Sequence, residues 1–378
     1  MPEPLKTFFS PELVQRLAAD LLRVHADFPA AQFIEQACAG LAGLELLDRG
    51  RHIARTLASC LPEYPRAISI LLDSLGPEHA SDELAGAGMA PFFYLPHTLY
   101  VAEYGLDHFD LSLQAQLELT RRFSAEFSIR PYIAKDPERT IRFLHRCARD
   151  PHPHVRRLAS EGTRLRLPWA GRVAWLDANP GRVLELLETL KDDPAAMVRR
   201  SVANNLNDLG KVHPELLTST CAAWLVDAST ERRALVEHAL RSAVKRAEPA
   251  ALKLLGYGGT PSVAVENVCF EPPRVAIGDT VACSFTLRST SPRAQELLVD
   301  LVVHFVKAAG HSTPKVFKLK RVTLPPEGRA ELKTRVSLKV HTTRKPNPGT
   351  HVVEVLINGV AARIGSFHVI APRRKRGE

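Results

Sequence analysis

The 378-residue sequence has no CxxC pair and no Cys/His cluster with zinc-site spacing, which argues against a metal site. Its six cysteines, at positions 38, 60, 147, 221, 269 and 283, are scattered, as reduced thiols of a cytosolic chain are. Cys269 and Cys283 lack the wide spacing and intervening tryptophan of an antibody-type disulfide, so both are expected to be buried apolar residues. No run of 18 apolar residues exists, and so no membrane-spanning segment is expected. The opening MPEPLKTFFSPELVQRL lacks a basic stretch followed by an uninterrupted apolar one, so it is no secretory leader. Ser10-Pro11-Glu12 reads instead as a helix start, with serine as cap and proline first in the helix. These absences lead to the expectation of a soluble, cytoplasmic protein that needs no metal or cofactor; a monomer is expected.

Strand signals are also missing from the first ~255 residues. What is there is helical: LVQRLAADLLRVH, AISILLDSL and RVLELLETL repeat apolar residues at i, i+3, i+4 spacing. DPHPHVRRLASE (150–161) lies over DPAAMVRRSVAN (193–204) at an offset of 43, and Arg232-Arg233 begins a looser third copy 33 further on. Helical repeats of ~40–47 residues mark HEAT-type α-solenoids. Beyond the glycine cluster Gly256-Tyr257-Gly258-Gly259 the period changes to two, in about seven short strands separated by turn residues. That pattern predicts an immunoglobulin-like β-sandwich. The expected fold is therefore multi-domain α plus β: a HEAT-like α-solenoid over residues 1–255, a linker at 256–262, a sandwich over 263–371 and a basic tail at 372–378.

The net charge of +9 is unevenly spread. Residues 1–259 hold 31 basic against 32 acidic side chains, whereas residues 260–378 hold 19 against 9. Within the helical part, residues 139–172 carry nine arginines against Asp150 and Glu161. Two separate basic regions fit one polyanion touched at two places, or charge that only keeps the chain soluble. In the β-region the candidates are Lys318 and Lys320 on one strand face, with Arg344 and Lys345 in a loop.

The stretch VRRLASEGTRLRLPWA (155–170) concentrates the chemistry. At 100° per residue Val155, Leu158, Ala159 and Gly162 share an inward face, and Arg157, Glu161 and Arg164 project opposite. Matching positions one repeat on are Arg200, Asn204 and Asn207, with Asp208 beside them. The expectation is one shared wall bearing Arg157, Glu161, Arg164, Arg200, Asn204 and Asp208. Taken alone, Arg157–Glu161 is also an ordinary exposed ion pair worth ~0.3–0.5 kcal/mol. Trp169 is either a loop plug over the core or part of a site, and Glu126, in RRFSAEFSIRPYI, has the spacing of a surface helix residue.

Together AEFSIRPYI (125–133), HVRRLASEGTRLRLPWA (154–170) and VRRSVANNLNDLGK (198–211), followed by a β-domain, resemble the HEAT-like DNA alkylation-repair glycosylases of the AlkC/AlkD group, and the AlkC branch more closely. The resemblance is specific over residues 90–255 and holds in outline elsewhere. It implies a monofunctional glycosylase in base excision repair, acting on double-stranded DNA and removing cationic 3-methyladenine, 3-methylcytosine or 1-methyladenine. It assigns the acidic cluster to Glu126, Glu161 and Asp208, and the aromatic wall to Trp169. Carboxylates suit this chemistry because positive charge grows on the deoxyribose as the glycosidic bond lengthens. The phosphate-holding set is then Arg157, Arg164, Arg166, Arg200 and Asn204, with Lys318, Lys320, Arg344 and Lys345 from the sandwich. Such a protein would be cytoplasmic and associated with the nucleoid through DNA. The competing expectations are a DNA-binding repeat protein without catalysis and a protein-interaction scaffold.

Overall fold

The computed structural model describes residues 5–78, 88–340 and 345–371. Among these, fifteen α-helices run from α1 (Pro11–Val24) to α15 (Pro249–Leu254), and eight strands follow from β1 (Val263–Glu271) to β8 (Val360–Ile370). Ser10 caps α1 as its sequence predicts, its hydroxyl accepting from the Leu13 amide at 3.4 Å. No helix among the described residues is long and apolar enough to cross a membrane. Two compact units divide the chain at Ala239/Leu240, inside α14 (Thr230–Lys245).

The first unit is a stack of helices that touch their near neighbours in sequence, the contact pattern of a repeat protein. Its repeat has a physical basis. α9 (Pro153–Glu161) and α12 (Ala196–Leu209) each follow an Asp-Pro step. The aspartate closes a local turn onto the backbone two residues on: Asp150 accepts from His152 N at 2.8 Å, and Asp193 from Ala195 N at 2.9 Å. The first arginine of each Val-Arg-Arg then folds back onto the Asp-Pro carbonyls. Arg156 donates to Asp150 O and Pro151 O (3.0 and 2.8 Å), and Arg199 to Asp193 O and Pro194 O (2.6 and 2.8 Å). Arg233 makes the corresponding five-residue contact to Ala228 O at 3.3 Å. The third copy is therefore shifted by one residue from the Arg232-Arg233 alignment that sequence spacing suggests. Arg156 also forks onto Asp193 (2.6 and 3.0 Å), joining consecutive repeats.

The inward face of α9 is as its periodicity requires: Val155, Leu158 and Ala159 are fully buried. A Cβ on Gly162 would meet Ile129 at 2.7 Å, so glycine permits the approach of α7 (Ile129–Lys135).

Between β1 and β8 lie β2 (Arg274–Ala276), β3 (Thr280–Ser289), β4 (Gln295–Val306), β5 (Ser312–Leu324), β6 (Arg329–Ser337) and β7 (Gly349–Ile357). The eight strands form two sheets, one ordered β1-β3-β6 and one β2-β8-β7-β4-β5, over a shared core that includes Phe285, Leu301, Val303, Val353, Val355 and Phe367. There is one strand more than alternation predicts. β2 (Arg274–Ala276) has three residues, too few to show a period, and pairs parallel to β8. Cys283 is buried, but Cys269 is exposed, contrary to expectation. The register of β1 slips between Glu266 and Cys269, where Asn267 has φ +54°. The bulge turns Val268 and Phe270 to the core side and Cys269 outward.

Candidate functional site

Three segments of the first unit meet at one cluster: the turn before α7, the end of α9 and the end of α12. Arg157 binds Glu126 at 3.0 Å and approaches Glu161 at 3.7 Å. Arg164 binds Glu161 at 2.6 Å through Nη1 and Asp208 at 2.8 Å through Nε. Lys211 closes the far end on Asp208 at 2.8 Å. The chain Glu126–Arg157–Glu161–Arg164–Asp208–Lys211 alternates in sign and balances in charge. Ser201 donates to Glu161 at 2.5 Å, and Ser124 to Glu126 at 2.8 Å.

The expected open wall is not what these residues form. Glu161 and Asp208 lie side by side, but their side chains are 6% and 1% exposed, against 15% for Glu126. Burial opposes the charge on Glu161 and would raise its pKa. The charges of Arg157 and Arg164, with the Ser201 and Arg164 hydrogen bonds, outweigh burial and hold this carboxyl below the usual carboxylate range. Glu161 is thus ionised at neutral pH. Burial likewise opposes charge on both arginines, and the carboxylates reverse that, holding Arg157 and Arg164 above the usual guanidinium value. The guanidinium of Arg164 is buried and committed to two carboxylates, so the structure corrects its expected phosphate contact. Arg166 is similarly committed, to Asp177 at 2.8 Å and to Leu165 O at 2.8 Å, because the loop turns it toward α10 (Ala174–Ala178).

α12 presents two faces. Ser201, Asn205 and Asp208, at i, i+4 and i+7, face the end of α9, and Asn205 donates to Ser160 O at 2.7 Å. Asn204 and Asn207, one residue back from Asn205 and Asp208, face α14: Asn204 meets His238 at 3.0 Å, and Asn207 donates to Ala239 O at 2.7 Å. Arg200 is exposed on a hollow of about 420 Å³ that Arg199 and His238 also line. Arg200 and Asn204 therefore do not join the acids, as a single wall required. The repeat offset pointed to them, whereas the spacing around Asp208 is the signal that finds Ser201 and Asn205.

The loop leaving α9 carries Trp169, which is 62% exposed and so is no plug over the core. Its φ of +65° is uncommon for a bulky residue and costs on the order of 1–3 kcal/mol. The ring borders a cleft of about 350 Å³ lined by Leu47, Leu99, Phe127, Arg130 and Pro131 among others. Arg130, buried beneath the loop, was not singled out by the sequence. It donates to Gly162 O (3.1 Å), Arg164 O (2.9 Å) and Gly171 O (2.9 Å). Burial pulls its pKa to about 10, with nearby Asp177 acting to raise it, so Arg130 remains a cation at neutral pH.

In the second unit Lys318 and Lys320 are exposed on β5 (Ser312–Leu324), the edge strand of the five-stranded sheet, and Lys345 is exposed. Lys318 pairs across the ladder with Asp300, a buried acid that burial raises and the Lys318 charge lowers, for a net rise. Arg344 and the tail 372–378 lie outside the described residues. Among the described residues no group of three His, Cys, Asp or Glu side chains could hold a metal ion.

Comparison with known proteins places this geometry in context. Residues 264–371 match the family described as "Uncharacterised protein YhaZ, C-terminal Ig-like domain". The uncharacterized protein YhaZ of Bacillus subtilis (strain 168) is 33% identical over 358 residues, covering 94% of this chain and 96% of that protein. The solved structure of the Pseudomonas fluorescens alkylpurine DNA glycosylase AlkC, bound to DNA containing an abasic site analog, superposes with a TM-score of 0.89 at 36% identity, covering 98% of this chain and all of that one. A helical repeat unit carrying an acid–arginine cluster, followed by an immunoglobulin-like domain and shared nearly end to end with these relatives, shows that the chain belongs to the AlkC family.

Proposed function

We propose that this chain is a monofunctional DNA glycosylase of base excision repair that releases cationic N-methylated bases, with 3-methyladenine, 3-methylcytosine and 1-methyladenine as the expected class. The observation that carries the reading is the cluster of Glu126, Glu161 and Asp208, held together by Arg157 and Arg164 beside an exposed, strained Trp169. The relative of known structure is itself named an alkylpurine DNA glycosylase.

A cationic methylated base is already an activated leaving group. The C1′–N bond breaks with its electron pair going to the base, which departs neutral, and water adds to the sugar cation and loses a proton. Glu126 is the most open of the three acids, so we assign it to the sugar or the attacking water. Glu161 and Asp208 supply negative charge that is already in place when the sugar becomes positive. Trp169 offers a π-face to a cationic base. Arg157, like Arg164, is committed to carboxylates, so Arg200 in the helical unit, and Lys318, Lys320 and Lys345 in the sandwich, are the side chains we assign to backbone phosphates. DNA is thus the proposed partner of a monomeric, cytoplasmic enzyme.

A second reading draws on the sealing of Asp208, both of whose carboxylate oxygens are paired. On it the ion chain only joins helices, and the protein binds DNA without catalysis. Incubation with duplexes carrying single 3-methyladenine, 3-methylcytosine or 7-methylguanine lesions separates the two. Release of free base from the first two supports the glycosylase, and retention of the DNA with no release from any of them supports the second reading.

A further inference from the structure

Arg130 holds a buried charge with no ion pair of its own among the described residues; its guanidinium is met by backbone carbonyls. A cation taken out of water without an adjacent carboxylate is costly. The three carbonyls are not neighbours in sequence. Gly162 and Arg164 stand at the start of the loop and Gly171 at its end, so one planar fork spans the ten residues from 162 to 171. Within that span lie Arg164, which joins Glu161 to Asp208, and Trp169 in its left-handed conformation. Strained backbone of this kind persists only where its surroundings over-determine it. The clamp is seated firmly, because Ile129, next to Arg130, packs where a Cβ on Gly162 would lie.

We propose that Arg130 is the positioning residue of the site: by tying Gly162, Arg164 and Gly171 together it imposes the loop conformation that presents Trp169 and fixes Arg164 between the two carboxylates. It acts through these residues and touches no reacting atom. The inference rests on the glycosylase reading for its kinetic consequence and on geometry alone for its effect on the loop.

The test uses the full chain as wild type, Arg130→Gln and Arg130→Lys, each with a Trp169→Phe partner. Base release from 3-methyladenine duplexes is measured together with acrylamide quenching of the Trp169 fluorescence, taken as the difference from the partner. Arg130→Gln is expected to lose on the order of 10²-fold in kcat, the penalty of misplaced groups, while KM moves by less than about threefold. Its Trp169 quenching is expected to change in parallel. Arg130→Lys is expected to recover little, since an ammonium cannot span three carbonyls across the loop. A folded Arg130→Gln with wild-type kcat and quenching overturns the proposal. Where Arg130→Gln does not fold, Arg130→Lys decides, and wild-type behaviour of that variant overturns it equally. If the wild type releases no base, the glycosylase reading falls, and quenching alone decides on Arg130: altered in the variants it supports the clamp, unaltered it removes it.

Discussion

The arginine-rich end of α9 and the lysine face of β5 carry their charge in opposite ways. Arg156, Arg157, Arg164 and Arg166 are all engaged with carboxylates of their own chain, and Arg130 with backbone carbonyls. Lys318 and Lys320 are exposed, and Lys320 has no ion-pair partner among the described residues. Counting charge along the sequence makes both regions look like polyanion-binding patches. The structure separates them by residue type: guanidinium groups suit buried, forked contacts, and ammonium groups suit solvent. A basic stretch rich in arginine and interrupted by acids is thus as much a scaffold as a surface. The lysines have a structural role open to them too, since charge on an edge strand discourages pairing with another chain.

That contrast can be broken experimentally, beginning with the buried side. Glu161→Gln leaves Arg157 and Arg164 without their shared acid, and removing one partner of a buried pair costs about 3–5 kcal/mol. Urea denaturation is expected to show that loss together with loss of excision; unchanged stability would mean the network adds nothing to the fold. The pH dependence follows in sign. Because the folded pKa of Glu161 lies below its unfolded value, its stabilisation is present above about pH 4.3 and disappears as pH falls through the folded value. Glu161→Gln should flatten this acid limb in thermal melts between acid and neutral pH.

Trp169→Ala is expected to reduce base release by ~10-fold or more, the worth of one stacked base, with stability little changed, since the ring is exposed and alanine keeps the Cβ that makes the positive φ costly. An unaffected rate would remove the ring from the site. On the solvated side, Lys318→Glu with Lys320→Glu should weaken DNA binding and lower the salt slope by about 2, leaving the excision rate at saturating DNA intact. Reversal keeps the edge charged, so an unaltered slope would assign these lysines to edge protection alone. Point changes are preferable to truncation at residue 260, because Gly359 packs against Leu252 of α15 and Ala247 in the turn before it, both in the same compact unit. The smallest effect is expected for Arg200→Ala: a slope lowered by about 1 and stability within about 0.5 kcal/mol of wild type, read from salt titrations and melts.

Much of the fold was legible because it rests on periods that many residues share. The 43-residue repeat, the inward face of α9 and seven of the eight strands follow from apolar spacing. β2 was not visible because three residues cannot display a period, and Cys269 was misassigned because a bulge at Asn267 reverses the faces of β1. The acids were legible as residue types, but their sealing was not, since exposure depends on where the loop after Gly162 travels. Arg200 and Asn204 were placed with the acids by repeat offset, yet one residue on α12 is a 100° turn, and that turn decides which neighbour a side chain meets. Arg130 carried no signal, because its acceptors are backbone carbonyls 32 to 41 residues away.

The central claim is that the buried acids serve chemistry as well as folding, and Asp208→Asn tests it most directly. The substitution keeps shape and leaves Glu161, Arg157 and Ser201 in place, so a folded protein can be assayed for single-turnover release of 3-methyladenine and for affinity to the same duplex. The account predicts that release is lost while affinity stays near wild type. A folded variant that still excises the base at the wild-type rate, or one that loses affinity but not excision, would contradict it.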